Sequence, residues 1–183
     1  LVCGAIAEQG GEQLRVKAER VILACNGFGG NTEMVAKHCP EMQGAWYFGG
    51  EGSTGEGIVW GQQVGGDVAF MDAYQAHSTV AMPGETLITY AVVMEGGFQL
   101  NRNGLRFADE THGYSEHAIE ILKQPPLGDE DEGLAAGRVW VVYDQRIHEL
   151  AMKFEDYRDA VGVGIVKQAE SVGTLAERVG IDA

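Results

Sequence analysis

Apolar and polar positions alternate in short runs from the start of the chain. Val2 to Glu8 is largely apolar, Gln9-Gly10-Gly11-Glu12 is a turn, and Leu14-Arg15-Val16-Lys17 alternates, so residues 1–25 are expected as strands. Val21-Ile22-Leu23-Ala24 is a continuous apolar run of the kind a buried strand carries, and it stops at Asn26-Gly27-Phe28-Gly29-Gly30. Asn31 is placed to cap a helix from Thr32 to His38, which Pro40 ends. Glycines crowd the stretch from Gly49 to Gly57; there Thr54 is placed to cap a helix from Gly55 to Val64, stopped by Gly65-Gly66. Asp67–Met71, Thr86–Val92 and Gly97–Asn101 read as strands. Asn103-Gly104 signals a hairpin that returns through Leu105-Arg106-Phe107. Ser115 to Lys123 puts Ala118, Ile119 and Leu122 on one helical face. Arg138 to Tyr143 is a strand. Two or three short helices follow, the last with Thr174 and Glu177 as a capping box and Gly180 at its end.

Strands and helices mix without strict alternation, so two sub-structures fit better than one doubly wound sheet. The expectation is a mixed α/β (α+β) chain with a first part over 1–72 and a second over 73–183. Charge narrows the partners. Thirteen basic residues face 27 acidic ones, a formal charge of −14, which repels a phosphate backbone and an anionic lipid surface alike. Neither nucleic-acid binding nor membrane insertion is expected, since no apolar run approaches the roughly 18 residues that a membrane helix needs. Cys3, Cys25 and Cys39 form no CxxC pair, which argues against a disulfide framework or a zinc site and for a reducing, cytoplasmic setting. His112 and His117 are five apart and fall on different helix faces, while His38 and His148 read as helix-surface residues, so no metal is assigned. Asp129-Glu130-Asp131-Glu132, within the Pro125–Gly137 loop, reads as a solvated acidic run.

Gly50-Glu51-Gly52-Ser53-Thr54-Gly55 matches GxGxxG, with a helix after it and Asp72 about 20 residues on, as in a nicotinamide-type fingerprint. Ala45-Trp46-Tyr47-Phe48 is a poor buried strand, however, and Asp67 opens the next segment with a charge. A tight turn with glycines at positive φ accounts for the pattern better.

Three segments, in order, carry a more specific signal. They are Val21-Ile22-Leu23-Ala24-Cys25-Asn26-Gly27-Phe28-Gly29-Gly30-Asn31, Gly52-Ser53-Thr54-Gly55-Glu56-Gly57-Ile58, and Leu100-Asn101-Arg102-Asn103-Gly104-Leu105-Arg106-Phe107-Ala108-Asp109-Glu110. Together with Tyr74-Gln75-Ala76-His77-Ser78-Thr79 they resemble the flavoprotein family of fumarate reductase, succinate dehydrogenase and the 3-ketosteroid dehydrogenases. There the corresponding motifs read VILATGGFGGN, GxTGDGI, VNRxGxRFxNE and QxHPT. The resemblance covers nearly the whole chain. It implies FAD as cofactor, a partial FAD-binding domain over 1–72 and a substrate cap over 73–183.

The resemblance also implies roles. Ala24, Asn26 and Gly27 would lie beside the flavin, and Asn26, in place of a glycine, is a residue that tolerates left-handed backbone. Glu56 replaces the acid that contacts FAD; a favourable charge in a helix first turn explains it equally well. His77 would hydrogen-bond substrate at the cap; a strand-end histidine satisfied by backbone is the plainer alternative. Thr89 falls where the family binds substrate, although β-branching alone suits it to a strand. Arg106, Asp109 and Glu110 more readily brace the hairpin than touch substrate. The family's proton-donating arginine, eight residues after the RF arginine, corresponds to Tyr114, and its partner acid and arginine to Tyr90 and Val93. With all three changed, fumarate reduction by the usual path is not expected. A cap tyrosine resembles the ketosteroid-dehydrogenase branch, and a phenol can exchange a proton if its neighbours tune it; packing ahead of a Ser115-capped helix is the alternative.

The family's N-terminal pyrophosphate fingerprint and further substrate residues have no counterpart here, so the chain is expected to be an internal piece of a larger flavoprotein that does not retain FAD by itself. Its partners would be a small-molecule substrate and the remainder of that flavoprotein. The whole enzyme would move hydride between flavin and an activated carbon–carbon bond of an enone, ketosteroid-like or unsaturated-acid substrate. The rival reading is an isolated cap or binding module without redox activity.

Overall fold

The computed structural model describes residues 2–125 and 138–181. The acidic run at 129–132 lies outside the described residues. The chain divides into two compact units, Leu1–Ala73 and Tyr74–Ala183. Among the described residues the strands form three separate two-stranded antiparallel sheets among helices, a mixed α/β architecture.

The first unit opens with a hairpin of β1 (Gly4–Gln9) and β2 (Glu12–Lys17), in the register Gly4↔Lys17 to Gln9↔Glu12. Gly10 (φ 61°) and Gly11 (φ 84°) make the two-residue turn, because both positions need the left-handed backbone that matches strand twist. The apolar run 21–24 does not become a buried strand. It belongs to no strand among the described residues, and Ile22 is 89% exposed. Alternating or continuous apolar character specifies a strand only where a neighbouring strand and a covering layer exist. Helix α1 (Thr32–His38) begins as expected, with Asn31 Oδ1 accepting the Met34 N–H at 3.0 Å. Helix α2 (Glu56–Gln63) has left-handed Gly55 (φ 91°) at its N-cap instead of Thr54. Thr54 is diverted because its hydroxyl donates to the Glu56 carboxylate. Residues 66–70 form no strand, and Phe70 sits at φ 55°. Among the described residues of this unit, Cys39 alone is a buried apolar residue, and burial pushes its thiol pKa up.

The second unit holds the core. A small hairpin pairs β3 (Val80–Ala81) with β4 (Thr86–Leu87). The strand expected over 86–92 ends early, and Ala91–Met94 turns into the short helix α3. β5 (Phe98–Leu100) follows, and the hairpin at Asn103-Gly104 returns through a single bridge, Leu100↔Arg106. Helix α4 (Tyr114–Leu122) starts from Gly113, and Ser115 does not cap it. The Ser115 hydroxyl instead accepts from Ala76 N at 3.1 Å and donates to Ala76 O at 3.3 Å. β6 (Trp140–Val142) pairs with β5 through Phe98↔Val142 and Leu100↔Trp140. Helices α5 (Gln145–Ala151), α6 (Glu155–Gly162) and α7 (Val172–Val179) complete the unit. Ser171 caps α7, and Thr174, expected in that role, donates its N–H to the Ser171 hydroxyl. Ile88, Val92, Ile147, Ala151, Tyr157 and Ala160 form one buried cluster that ties α3, α5 and α6 to the β4 end.

Candidate functional site

In the first unit, two glycine-rich loops distant in sequence are hydrogen-bonded to each other. Gly30 N donates to Ser53 O at 2.9 Å, and Asn31 Nδ2 donates to Thr54 O at 3.0 Å. Asn26 Nδ2 donates to Ser53 Oγ at 3.1 Å, while Asn26 Oδ1 accepts from Gly27 N at 3.0 Å. Asn26 takes up left-handed backbone at φ 64°, which an amide side chain bonded to its own next residue stabilises. The GxGxxG match resolves into a tight turn, with Ser53 N donating to Gly50 O at 2.9 Å, followed by the Gly55 cap.

Ala24 and Asn26 lie on an exposed face, and a Cβ added at Gly27, Gly50 or Gly52 would meet nothing within 4 Å. Gly57 is different: its Cβ would stand 2.4 Å from Cys25 Sγ, so the bare backbone there lets α2 approach residue 25. Glu56 is exposed in the first turn of α2, and the Thr54 hydroxyl bond holds its pKa below the ordinary carboxylate range. Ala24, Asn26, Gly27 and Glu56 therefore belong to one pair of linked loops, with open backbone and a fixed negative charge.

In the second unit, three rings converge. His77 lies 5.9 Å from Tyr90 and 5.8 Å from Tyr114 between centroids, and the two tyrosines are 5.6 Å apart. The segment before β3 supplies His77, the turn into α3 supplies Tyr90, and the first residue of α4 is Tyr114. Each ring has its own tether. His77 Nδ1 accepts the Thr79 N–H at 3.3 Å, and the Thr79 hydroxyl spends its proton on Ile88 O at 2.8 Å. Nδ1 is thus an acceptor, which places the ring proton of the neutral imidazole on Nε2. Burial lowers the His77 pKa, favouring that neutral form.

Tyr90 is buried and donates its O–H to Glu110 O at 3.1 Å; burial raises its pKa. Tyr114 is half-buried, and its phenol oxygen accepts from Gln75 Nε2. Thr89, adjacent to Tyr90, uses its hydroxyl oxygen to accept Ala91 N–H at 3.3 Å in the first turn of α3. Among the described residues its hydroxyl makes no hydrogen bond to the three ring side chains.

The Arg106-Phe107-Ala108-Asp109-Glu110 stretch braces this platform. Glu110 is 5% exposed; its carboxylate accepts from Gln99 N at 2.8 Å and from Arg106 Nε at 2.9 Å. Burial pushes the Glu110 pKa up, but the Arg106 and Gln99 bonds outweigh it, and the group stays below its ordinary value. Asp109 accepts from Thr111 and caps the turn Glu110–His112. His117 is buried against Gln99 and stacks with Phe107 at 5.7 Å. His148 is not a plain surface residue: its Nδ1 lies 2.8 Å from the Tyr157 hydroxyl, which in turn lies 2.8 Å from that of Tyr143.

Sequence reasoning reached His77 and Tyr114 but gave Gln75 no task and treated Tyr90 only as a missing acid. Tyr90 shows its place only in the structure, through its ring distances and its bond to Glu110 O.

Residues 1–178 match the family described as FAD binding domain. A fumarate reductase (cytochrome) from Shewanella frigidimarina is 32% identical over 167 residues, which is 91% of this chain and 27% of that protein. A 3-oxosteroid 1-dehydrogenase from Mycobacterium tuberculosis is 27% identical over 190 residues, covering 97% of this chain and 33% of that enzyme. The open conformation of a flavocytochrome c3 fumarate reductase superposes on 99% of the chain and 30% of its own length, with TM-score 0.69 and 26% identity. The chain thus spans a third or less of the length of these relatives.

Proposed function

The chain belongs to the FAD binding domain family, and from that premise we propose that it is part of an FAD-dependent oxidoreductase acting on an activated carbon–carbon bond. In this reading 1–72 is part of the FAD domain and 73–183 is most of the substrate cap, and the remainder of a larger flavoprotein covers the exposed apolar run at 21–24. The linked loops fit the cofactor, because backbone open at Gly27, Gly50 and Gly52 admits a close-lying planar group. Ala24, Asn26, Gly27 and Glu56 would hold it. When bound, FAD supplies the acceptor or donor of a hydride.

The protein's own side chains handle the substrate. His77 offers a neutral Nε2–H to a carbonyl or carboxylate oxygen, polarising the conjugated bond. Thr89 orients the substrate from the neighbouring turn. In the reducing direction a hydride adds to the β-carbon while the Tyr114 O–H proton goes to the α-carbon. The hydride's two electrons and the proton together saturate the bond, and water reprotonates the phenolate. In the oxidising direction the phenolate takes the α-proton as the hydride leaves.

The observation that carries this reading is the convergence of His77, Tyr90 and Tyr114. With Tyr90 and Val93 standing where the resembling family has an acid and an arginine, the surroundings favour a neutral enone or ketosteroid-like substrate over a dicarboxylate. The full-length protein should purify yellow with flavin, and Tyr114→Phe should cut turnover by about 10²–10⁴-fold. A colourless full-length protein, or turnover within about threefold of wild type, overturns the proposal, since proton-transfer groups contribute more than that.

A further inference from the structure

Two phenols face the same imidazole, and their hydrogen bonds differ in direction. Tyr90 is a donor: its proton is committed to the main-chain oxygen of Glu110 at 3.1 Å. Tyr114 is an acceptor: its oxygen receives the Gln75 side-chain N–H. A phenol that accepts one bond keeps its own proton available, and among the described residues no second partner takes the Tyr114 proton. Gln75 is thereby set apart from Ala76 and Ser78 beside it, whose backbone groups serve Ser115 and Gln99.

We propose that Gln75 is the positioning residue for proton transfer in this site: its amide N–H pins the Tyr114 oxygen, fixes the ring against His77 and leaves the phenol proton pointing away for exchange with substrate. This rests on the reading of Tyr114 as the proton-transfer group. A neutral donor on the oxygen stabilises phenolate more than phenol, because the anion is the stronger acceptor. The Gln75 N–H is in place to receive the negative charge that grows on the oxygen as the proton leaves, and it adds no charge of its own. The bond also chooses between the two tyrosines. Tyr90 would have to abandon Glu110 O before giving up its proton, whereas Tyr114 gives up nothing.

The groups facing Tyr114 are Gln75, the His77 ring and the Tyr90 ring. Glu116 lies on its own helix, with its carboxylate toward Gly113, and Glu110 is paired with Arg106. Neither carboxylate is bonded to the Tyr114 oxygen, so Gln75 is the group that sets its hydrogen-bond state.

The test uses the full-length protein labelled with tyrosine carrying ¹³C at the ring carbon that bears oxygen, with Tyr114→Phe to assign the resonance. In Gln75→Met, which keeps length but has no N–H, the Tyr114 resonance should shift because the bond to its oxygen is gone, and kcat should fall by about tenfold with KM little changed, the size of one lost hydrogen bond to a group that becomes charged. Gln75→Glu reverses the bond, since the carboxylate accepts the phenol proton, and should lower kcat further. A Tyr114 resonance and a kcat that both stay put in Gln75→Met overturn the proposal, because the phenol would then be held by something other than Gln75. If Tyr114→Phe retains turnover, the functional reading fails, yet the resonance still decides the Gln75–Tyr114 bond separately.

Discussion

The second unit contains two clusters of identical composition, one histidine and two tyrosines each, wired in opposite ways. Around His77, Tyr90 and Tyr114 touch ring to ring while His77 Nδ1, the Tyr90 hydroxyl and the Tyr114 oxygen are each held by a different outside group: Thr79 N–H, Glu110 O and Gln75. Around His148, the polar atoms bond one another in series, from Tyr143 through Tyr157 to His148, with Gln168 beyond at 3.2 Å. A chain that satisfies its own donors and acceptors spends its protons on cohesion. A cluster whose members are tethered separately is held rigid with a proton left over, which is what a reacting group needs. Burial follows the same division: Tyr157 is fully buried in the core and its pKa is raised by that burial, while Tyr114 remains partly open.

The contrast predicts where substitutions strike. Tyr157→Ala should have the largest effect, since it removes a buried ring from the cluster under α5 and α6 and strands two hydrogen-bond partners. A loss of roughly 3–5 kcal/mol is expected, read from urea denaturation. A loss below about 1 kcal/mol would show that the His148 chain is peripheral to cohesion. Glu110→Gln comes next. It keeps the shape but weakens the bonds from Arg106 and Gln99 N–H that hold the platform under Tyr90, at a cost of about 2 kcal/mol.

The sign of the pH effect follows from the depressed Glu110 pKa. Its contribution is present above the unfolded value of about 4.3 and is lost as pH falls through the lower folded value. The wild type and Glu110→Gln should therefore converge in stability toward acid, and curves that stay parallel would count against the pairing.

Tyr90→Phe should cost about 1 kcal/mol by releasing Glu110 O, while its turnover stays far closer to wild type than that of Tyr114→Phe. Equal losses of turnover from both would erase the distinction between the two phenols. The smallest effect belongs to His77. Because burial lowers its pKa, the stability it favours is present above about pH 6.5 and is lost as pH falls through its lower folded value. His77→Gln should flatten that part of the stability curve, and an unchanged slope would mean that the ring is freely solvated.

Local chemistry was legible wherever a residue acts on its own neighbours. The Gly10-Gly11 turn, the Asn31 cap, the left-handed tolerance of Asn26 and the β5 strand all follow from side chains and backbone within a few residues. Expectations failed where a distant group competed for the same atom. Ser115 looked like a cap until Ala76, 39 residues away, took its hydroxyl; Thr54 failed locally, its hydroxyl going to Glu56 two residues on. The apolar run at 21–24 reads as buried because sequence shows hydrophobicity but not what covers it, and Thr86–Val92 reads as strand although its second half turns at Tyr90 into α3. His77 and Tyr114 were reachable through motif resemblance. Gln75 as a donor was not, since a contact across 39 positions has no local signature. The His148 chain was missed for the same reason.

Asn31 joins the two glycine loops while also starting a helix, so one amide fastens three pieces of backbone. The stretch it encloses, from residue 32 to residue 49, is a closed handle whose two ends are clamped to each other. Tyr47 and Met34 press from within the handle on Gly29, Gly30 and Gly55 of the rims, so insertions are expected to be tolerated only where they leave those two side chains seated, whereas a single deletion inside either rim would shear the clamp.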